Sequence, residues 1–268
     1  MKKIIILLSA LIGHVSIQAQ NIDSLFYAGV DTSGLAKEIA AEEADWTWAD
    51  TLQYGNYSYL DSYAMRMTKK YKNISDLAKD INQAFNTDEE KIRVIFMWMT
   101  CNIAYDYVEC ANKNRRIEGV TYTKRTTKLE IADKWENVYF KYATRVLRNK
   151  RGICEGYATL FYELCRYTNV NCEMVTGFAS DDIDKIDKFK KQKNFPTNHA
   201  WNRVLLNGEW LYIDVTWASS GKYDRNRKRT EATYYNPAFY LVKESKLYPD
   251  HVVNVKQSKR RNEIVGNF

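Results

Sequence analysis

Apolar positions recur at helical spacing through the middle of the chain and alternate in its last third. Ile74, Leu77, Ala78, Ile81 and Phe85 fall on one face of a predicted helix. A second helix is expected to open at Thr87, where Thr87 and Glu90 have the spacing of a capping box, and its apolar face is Ile92, Ile95, Phe96, Met99 and Ile103. The stretch from Lys113 to Lys128 is polar and basic and reads as a surface loop. A third helical run, from about Trp135 to Leu147, leads into Arg148, Asn149, Lys150, Arg151 and Gly152. Directly after that glycine comes an amphipathic stretch, Cys154 to Tyr167, with Ala158, Phe161, Leu164 and Cys165 on one face, so Cys154 lands in the first turn of a helix.

From there the period shortens to two. CEMVTGFA, HAWNRVLL and EWLYIDVTW read as strands, and strands following helices predict an α+β fold with an antiparallel sheet. Asn207 and Gly208 are the preferred residues of a two-residue type I′ hairpin turn. That turn pairs Leu206 with Glu209, Trp201 with Asp214 and His199 with Thr216. His199 and Asp214 then sit diagonally on one face of the ribbon, about 7 Å apart at the backbone, within reach of a carboxylate-to-imidazole hydrogen bond. A one-residue slip would put them on opposite faces. Ser180 to Thr197 reads as a solvated loop, acidic and then lysine-rich. Its Asp181, Asp182, Asp184 and Asp187 lack the spacing and the glycine of a calcium loop, so no metal is expected there.

Charge and composition narrow the setting. The 268 residues are 45% hydrophobic and 27% charged, ordinary values for a folded domain. Residues 1–19 begin with Lys2 and Lys3, continue into an apolar run from Ile4 to Ile12 and end at Ala19, as a secretory signal peptide does; the run is too short to span a bilayer. The expected location is therefore exported, periplasmic or secreted, with no membrane span once the leader is removed. Loss of the two lysines lowers the formal charge from +7 to +5. Basic clusters at Arg225 to Arg229 and Lys256 to Arg261 read as solvated surface, and nucleic acid is not an expected partner. Residues 20–73 read as a partly helical amino-terminal extension, 74–255 as a catalytic domain and 256–268 as a basic carboxyl-terminal tail.

Candidate chemistry comes from a thiol and an imidazole. The chain has five cysteines, an odd number that leaves at least one unpaired within an exported chain; Cys101 with Cys110, or Cys165 with Cys172, could close short-loop disulfides, and buried thiols fit equally. Cys154, at a helix start, would face unpaired backbone N–H groups and the positive end of the helix dipole, both of which favour thiolate. Glu155 beside it works against that unless its carboxylate points away. Of three histidines, His14 lies in the leader and His251 near the carboxyl terminus, leaving His199 as the base. In this scheme Cys154 attacks an acyl carbon, His199 manages the proton, and Asp214 orients the imidazole and stabilises its charged form. Gly152 permits close approach of a substrate, Trp201 and Trp217 are candidate cleft walls, and the backbone N–H of Cys154 with Trp135 are candidate oxyanion donors. The scheme requires no cofactor.

RGICEGYATLFYELC and NHAWNRVLLNGEWLYIDVTW closely resemble the core motifs of the transglutaminase-like superfamily, particularly its bacterial and cytokinesis-protein-like members, and TDEEKIRVIFMWMTCNIAYDY resembles the helix that precedes that core. The family's cysteine, histidine and aspartate fall on Cys154, His199 and Asp214. The resemblance implies a papain-like fold, with the nucleophile helix packed on an antiparallel sheet that carries the other two groups. It leaves three activities open on a protein or peptide substrate: hydrolysis as a cysteine peptidase or amidase, amine transfer as a protein-glutamine transglutaminase, and non-catalytic binding of peptide or cell-wall material. The animal cross-linking members are calcium-dependent and carry further β-domains; neither feature is expected here, which favours hydrolysis.

Overall fold

The computed structural model describes residues 57–111, 128–219, 222–224, 229–231, 235–243 and 249–264. The leader, the extension up to residue 56, the basic loop before residue 128, most of the Arg225 to Arg229 cluster and the side chain of Trp135 lie outside the described residues.

Three helices build the floor of the core: α1 (Ser58–Arg66), α2 (Ile74–Ala84) and α3 (Asp88–Asn102). The capping box forms as its spacing requires, Thr87 accepting from the Glu90 N–H while the Glu90 carboxylate accepts from the Thr87 N–H. All five residues of the predicted apolar face of α3 are fully buried. Arg93 on the same helix is buried too, held by both carboxylate oxygens of Asp61 at 2.7 and 2.8 Å and by the Tyr235 hydroxyl, with the Tyr57 and Tyr240 rings against its guanidinium.

A short strand β1 (Ala104–Tyr105) and helix α4 (Tyr107–Ala111) precede α5 (Lys128–Asn149), which starts earlier than its apolar run suggests. Strand β2 (Arg151–Gly152) pairs parallel with β1 and delivers the chain into α6 (Cys154–Tyr167), the central helix. Gly152 lies against α5: a Cβ there would come within 3.1 Å of Val146.

Helix α6 packs on a five-stranded sheet built from β3 (Cys172–Ala179), β4 (His199–Leu206), β5 (Glu209–Ile213), β8 (Val242–Lys243) and β9 (His251–Val253). The order is β8-β5-β4-β3-β9, and every pairing is antiparallel. A smaller sheet joins β2 and β1 to β6 (Lys222–Asp224) and β7 (Arg229–Glu231). The fold is thus α+β, with the central helix α6 packed on an antiparallel sheet. Among the described residues no helix is long and apolar enough to cross a membrane.

Two expectations change. Within Ser180 to Thr197 the chain forms a helix, α7 (Ile183–Lys190), because the Asp182 side chain caps it by accepting from the Lys185 N–H and Ile186 provides a buried anchor. The segment expected to be a solvated tail forms α9 (Val255–Ile264), with Ser258, Arg261 and Asn262 buried.

Candidate active site

The hairpin that carries the imidazole follows its turn chemistry. Asn207 and Gly208 both take positive φ, 52° and 82°, as a type I′ turn demands. Leu206 pairs with Glu209, and the register runs through Asn202 opposite Ile213. There the ladder stops. Asp214 leaves the strand and caps a single helical turn, α8 (Val215–Ala218), its Oδ1 accepting from the N–H groups of Thr216 and Trp217 at 2.8 and 3.0 Å. Thr216 is therefore helical and does not oppose His199. The reason is local: the carboxylate satisfies two backbone donors that a continued strand would have to pair elsewhere.

With Oδ1 committed to the cap, Oδ2 faces the sheet and meets His199 Nε2 at 2.5 Å. Asp214 is fully buried and His199 nearly so. Burial opposes a charged ring at His199, but the Asp214 carboxylate, and after it the neighbouring Cys154 sulfur, raise its pKa to about 10. Burial likewise opposes the ionised form of Asp214; His199 and then His251 overcome it and hold the carboxyl well below the usual carboxylate range. With Nε2 engaged by Asp214, Nδ1 is the nitrogen available to the sulfur.

Cys154 is the first residue of α6. Ile153, at the cap position, offers no side-chain acceptor, and Tyr157 donates the first backbone bond of the helix, to Ile153 O at 3.0 Å. The N–H groups of Cys154, Glu155 and Gly156 thus have no acceptor within the helix, and their dipoles converge beside the sulfur. Among the described residues no disulfide ties Cys154 or any other cysteine.

The tryptophans divide. Trp201 is buried, its ring stacked on His199 at 5.6 Å between centroids, so it backs the imidazole rather than lining an open wall. It is buried on the face of β4 opposite Asn202, which meets α6, and packs against the His199 and His251 rings and Gly177. Trp217 is partly exposed and approaches His199 at 5.8 Å, which leaves it the better placed of the two to meet a bound molecule. Gly177, opposite His199 across β3 and β4, has no room for a side chain: a Cβ would come within 2.1 Å of the Val252 carbonyl and 2.5 Å of the Trp201 ring.

One residue at the site has no motif that marks it in the sequence. His251, on edge strand β9, places Nε2 3.1 Å from Asp214 Oδ2 and Nδ1 2.6 Å from Asp250 Oδ1. Its ring packs edge-on to Trp201 and Trp217 at 5.0 and 4.7 Å. The Pro249–Asp250 turn signal before the alternating His-Val-Val was the available hint of a strand. His199, Asp214 and His251 bring three donor atoms within 4.8 Å of one another, as a metal site would. However, two ligands on one tetrahedral ion lie roughly 3.3 Å apart when each bond is about 2.0 Å. The 2.5 Å contact between His199 and Asp214 is a direct hydrogen bond.

Residues 75–215, just over half of the chain, match the family described as Transglutaminase-like superfamily. Among curated proteins the chain is similar to Kyphoscoliosis peptidase of Homo sapiens, 29% identical over 203 residues that make up 75% of this chain and 26% of that protein. The Mus musculus protein of the same name is 28% identical over 197 residues, 73% of this chain and 25% of its own length. The chain therefore spans about a quarter of the length of the curated relatives it matches. Both are mammalian, whereas the core motifs pointed to bacterial and cytokinesis-protein-like members. A solved structure titled as a TGase aligns over 68% of this chain and 41% of that one, at 15% identity and a TM-score of 0.30.

Proposed function

Since the chain belongs to the transglutaminase-like superfamily, we propose that it is an exported cysteine peptidase or amidase working through Cys154, His199 and Asp214. The observation that carries this reading is the buried pairing of His199 Nε2 with the Asp214 carboxylate at 2.5 Å, with Cys154 in the first turn of α6 close enough to raise the pKa of the ring.

In the proposed reaction His199 Nδ1 takes the thiol proton and the thiolate attacks an acyl carbon of the substrate. The carbonyl oxygen gains the negative charge, and the first-turn N–H groups of α6, that of Cys154 foremost, are the donors nearest to it. Collapse of this adduct breaks the bond to the amine, which leaves with the proton from His199. The enzyme then holds a thioester. Water, deprotonated by His199, attacks it, the carbon–sulfur bond breaks, and the acid leaves as Cys154 recovers its proton. Asp214 holds the Nε2 proton throughout and stabilises the cationic ring between the two proton transfers. The curated relatives named as peptidases support water as the acceptor.

The test incubates the purified mature protein with a peptide library, alongside Cys154→Ala. New peptide termini that require Cys154 are the expected result. Covalent joining of an amine to glutamine side chains would move the assignment to amine transfer. Tight peptide binding with no chemistry, equal in both proteins, would overturn the catalytic reading.

A further inference from the structure

Glu155 raises a question that the triad does not answer. It follows the nucleophile directly, in the first turn of α6, where its carboxylate is expected to oppose a neighbouring thiolate.

The structure supplies a cation for it. The Arg261 guanidinium, on α9, pairs through its NH2 nitrogen with Glu155 Oε1. Arg261 is buried, and a second nitrogen of the same group donates to Thr176 Oγ1 at 3.1 Å. The Tyr139 ring of α5 lies 5.2 Å from the guanidinium. Charge interaction with Glu155, and further with Cys154 itself, holds Arg261 protonated against the cost of burial.

The placement of this arginine is built in. Strand β9 covers the edge of β3 only from Gly177 to Ala179. Beyond it, α9 takes over the uncovered backbone. Ser258 Oγ accepts from the Thr176 N–H and donates to the Thr176 carbonyl, at 2.9 and 3.1 Å. One turn later, the Asn262 amide makes the equivalent pair with the Met174 N–H and carbonyl, both at 3.0 Å. Residues four apart on a helix thereby read residues two apart on a strand, and Arg261 is carried to the first turn of α6.

We propose that Arg261 is a positioning residue of the catalytic centre: delivered by the carboxyl-terminal helix, it neutralises Glu155 so that the adjacent sulfur can be held as thiolate. The proposal rests on the cysteine-enzyme reading above and adds α9 to the active site. The other titratable groups facing this pair are few. Tyr139 and Tyr142 of α5 interact with Glu155, and burial raises both hydroxyls, so they stay neutral through the working range. His199 of β4, backed by Asp214, faces Cys154 from the other side.

The experiment measures the second-order rate of Cys154 alkylation by iodoacetamide against pH, in the full mature protein, with folding checked by circular dichroism. In Arg261→Gln the uncompensated carboxylate is expected to move the acidic limb of the profile up by roughly one pH unit, about tenfold slower labelling below the limb. Arg261→Lys should keep most of the wild-type rate. Glu155→Gln should move the limb in the opposite direction, and the double variant Glu155→Gln with Arg261→Gln should return it close to wild type. A limb unmoved in Arg261→Gln, or a double variant as slow as Arg261→Gln alone, would reduce Arg261 to a packing residue and overturn the proposal. Should Arg261→Gln not fold, Glu155→Gln decides alone, and an unmoved limb there refutes it. Wild-type labelling of Cys154 that ignores His199→Ala would instead sink the underlying cysteine-enzyme reading, and this proposal with it.

Discussion

Asp214→Asn is the most informative single change, because the structure fixes what the two oxygens do. Four donors converge on this side chain: the Thr216 and Trp217 N–H groups on Oδ1, and the Nε2 atoms of His199 and His251 on Oδ2. Asparagine offers one acceptor atom in place of two. If its oxygen keeps the cap of α8, its NH2 group faces both imidazoles. His199 can then meet it only as an acceptor, which places the ring proton on Nδ1, toward the sulfur, where it blocks proton uptake from Cys154. The charge effect adds to this. The carboxylate is the leading cause of the rise of His199 to about 10, and without it the burial that opposes the charged ring loses its main counterweight. A loss of even two of those units is on the order of 3 kcal/mol of stabilisation of the charged ring, about a hundredfold at neutral pH. The assay is the rate of Cys154 alkylation at pH 7, read by mass spectrometry of the peptide that contains it, with thermal unfolding followed in parallel. The expected result is at least a hundredfold slower labelling in a protein that still unfolds cooperatively. A rate within threefold of wild type, with an unchanged pH profile, would refute the assignment of Asp214 as the orienting group.

Two further outcomes follow from the same geometry. The His199 and Asp214 pair makes stability pH-dependent on the alkaline side: a ring raised from 6.5 to about 10 contributes in full below 6.5 and loses that contribution as pH rises through 10. Urea unfolding between pH 6 and 10 should show wild type losing a few kcal/mol relative to Asp214→Asn, and parallel curves would contradict the pairing. Gly177→Ala drives a methyl into the Val252 carbonyl, backbone that cannot swing aside, so β9 must shift and carry His251 with it. A loss of roughly 1–3 kcal/mol in denaturant unfolding is expected, together with slower Cys154 labelling; unchanged stability would mean the strand accommodates the methyl.

The sequence by itself determined whatever depends on neighbours along the chain. The capping box at Thr87, the apolar face of α3, the helix start at Cys154 and the hairpin register from Asn207 and Gly208 are set by side chains within a few residues of the backbone they control. The His199 and Asp214 contact was legible for that reason, since one two-residue turn fixes it. Only the tertiary structure decided the rest. His251 reaches Asp214 through an edge strand paired with β3, and Arg261 reaches Glu155 across more than a hundred residues of chain, by a helix docked where that strand ends. In sequence Arg261 lay in a stretch that reads as solvated surface and His251 merely near the carboxyl terminus, because nothing local distinguishes a basic helix facing water from one that buries an arginine against a carboxylate. The helical turn at Asp214 has a local part, the cap on the Thr216 and Trp217 N–H groups, and a tertiary part. Alternation predicts extension, but a buried carboxylate that accepts two N–H groups while meeting two imidazoles outweighs it, and those imidazoles arrive only with the fold.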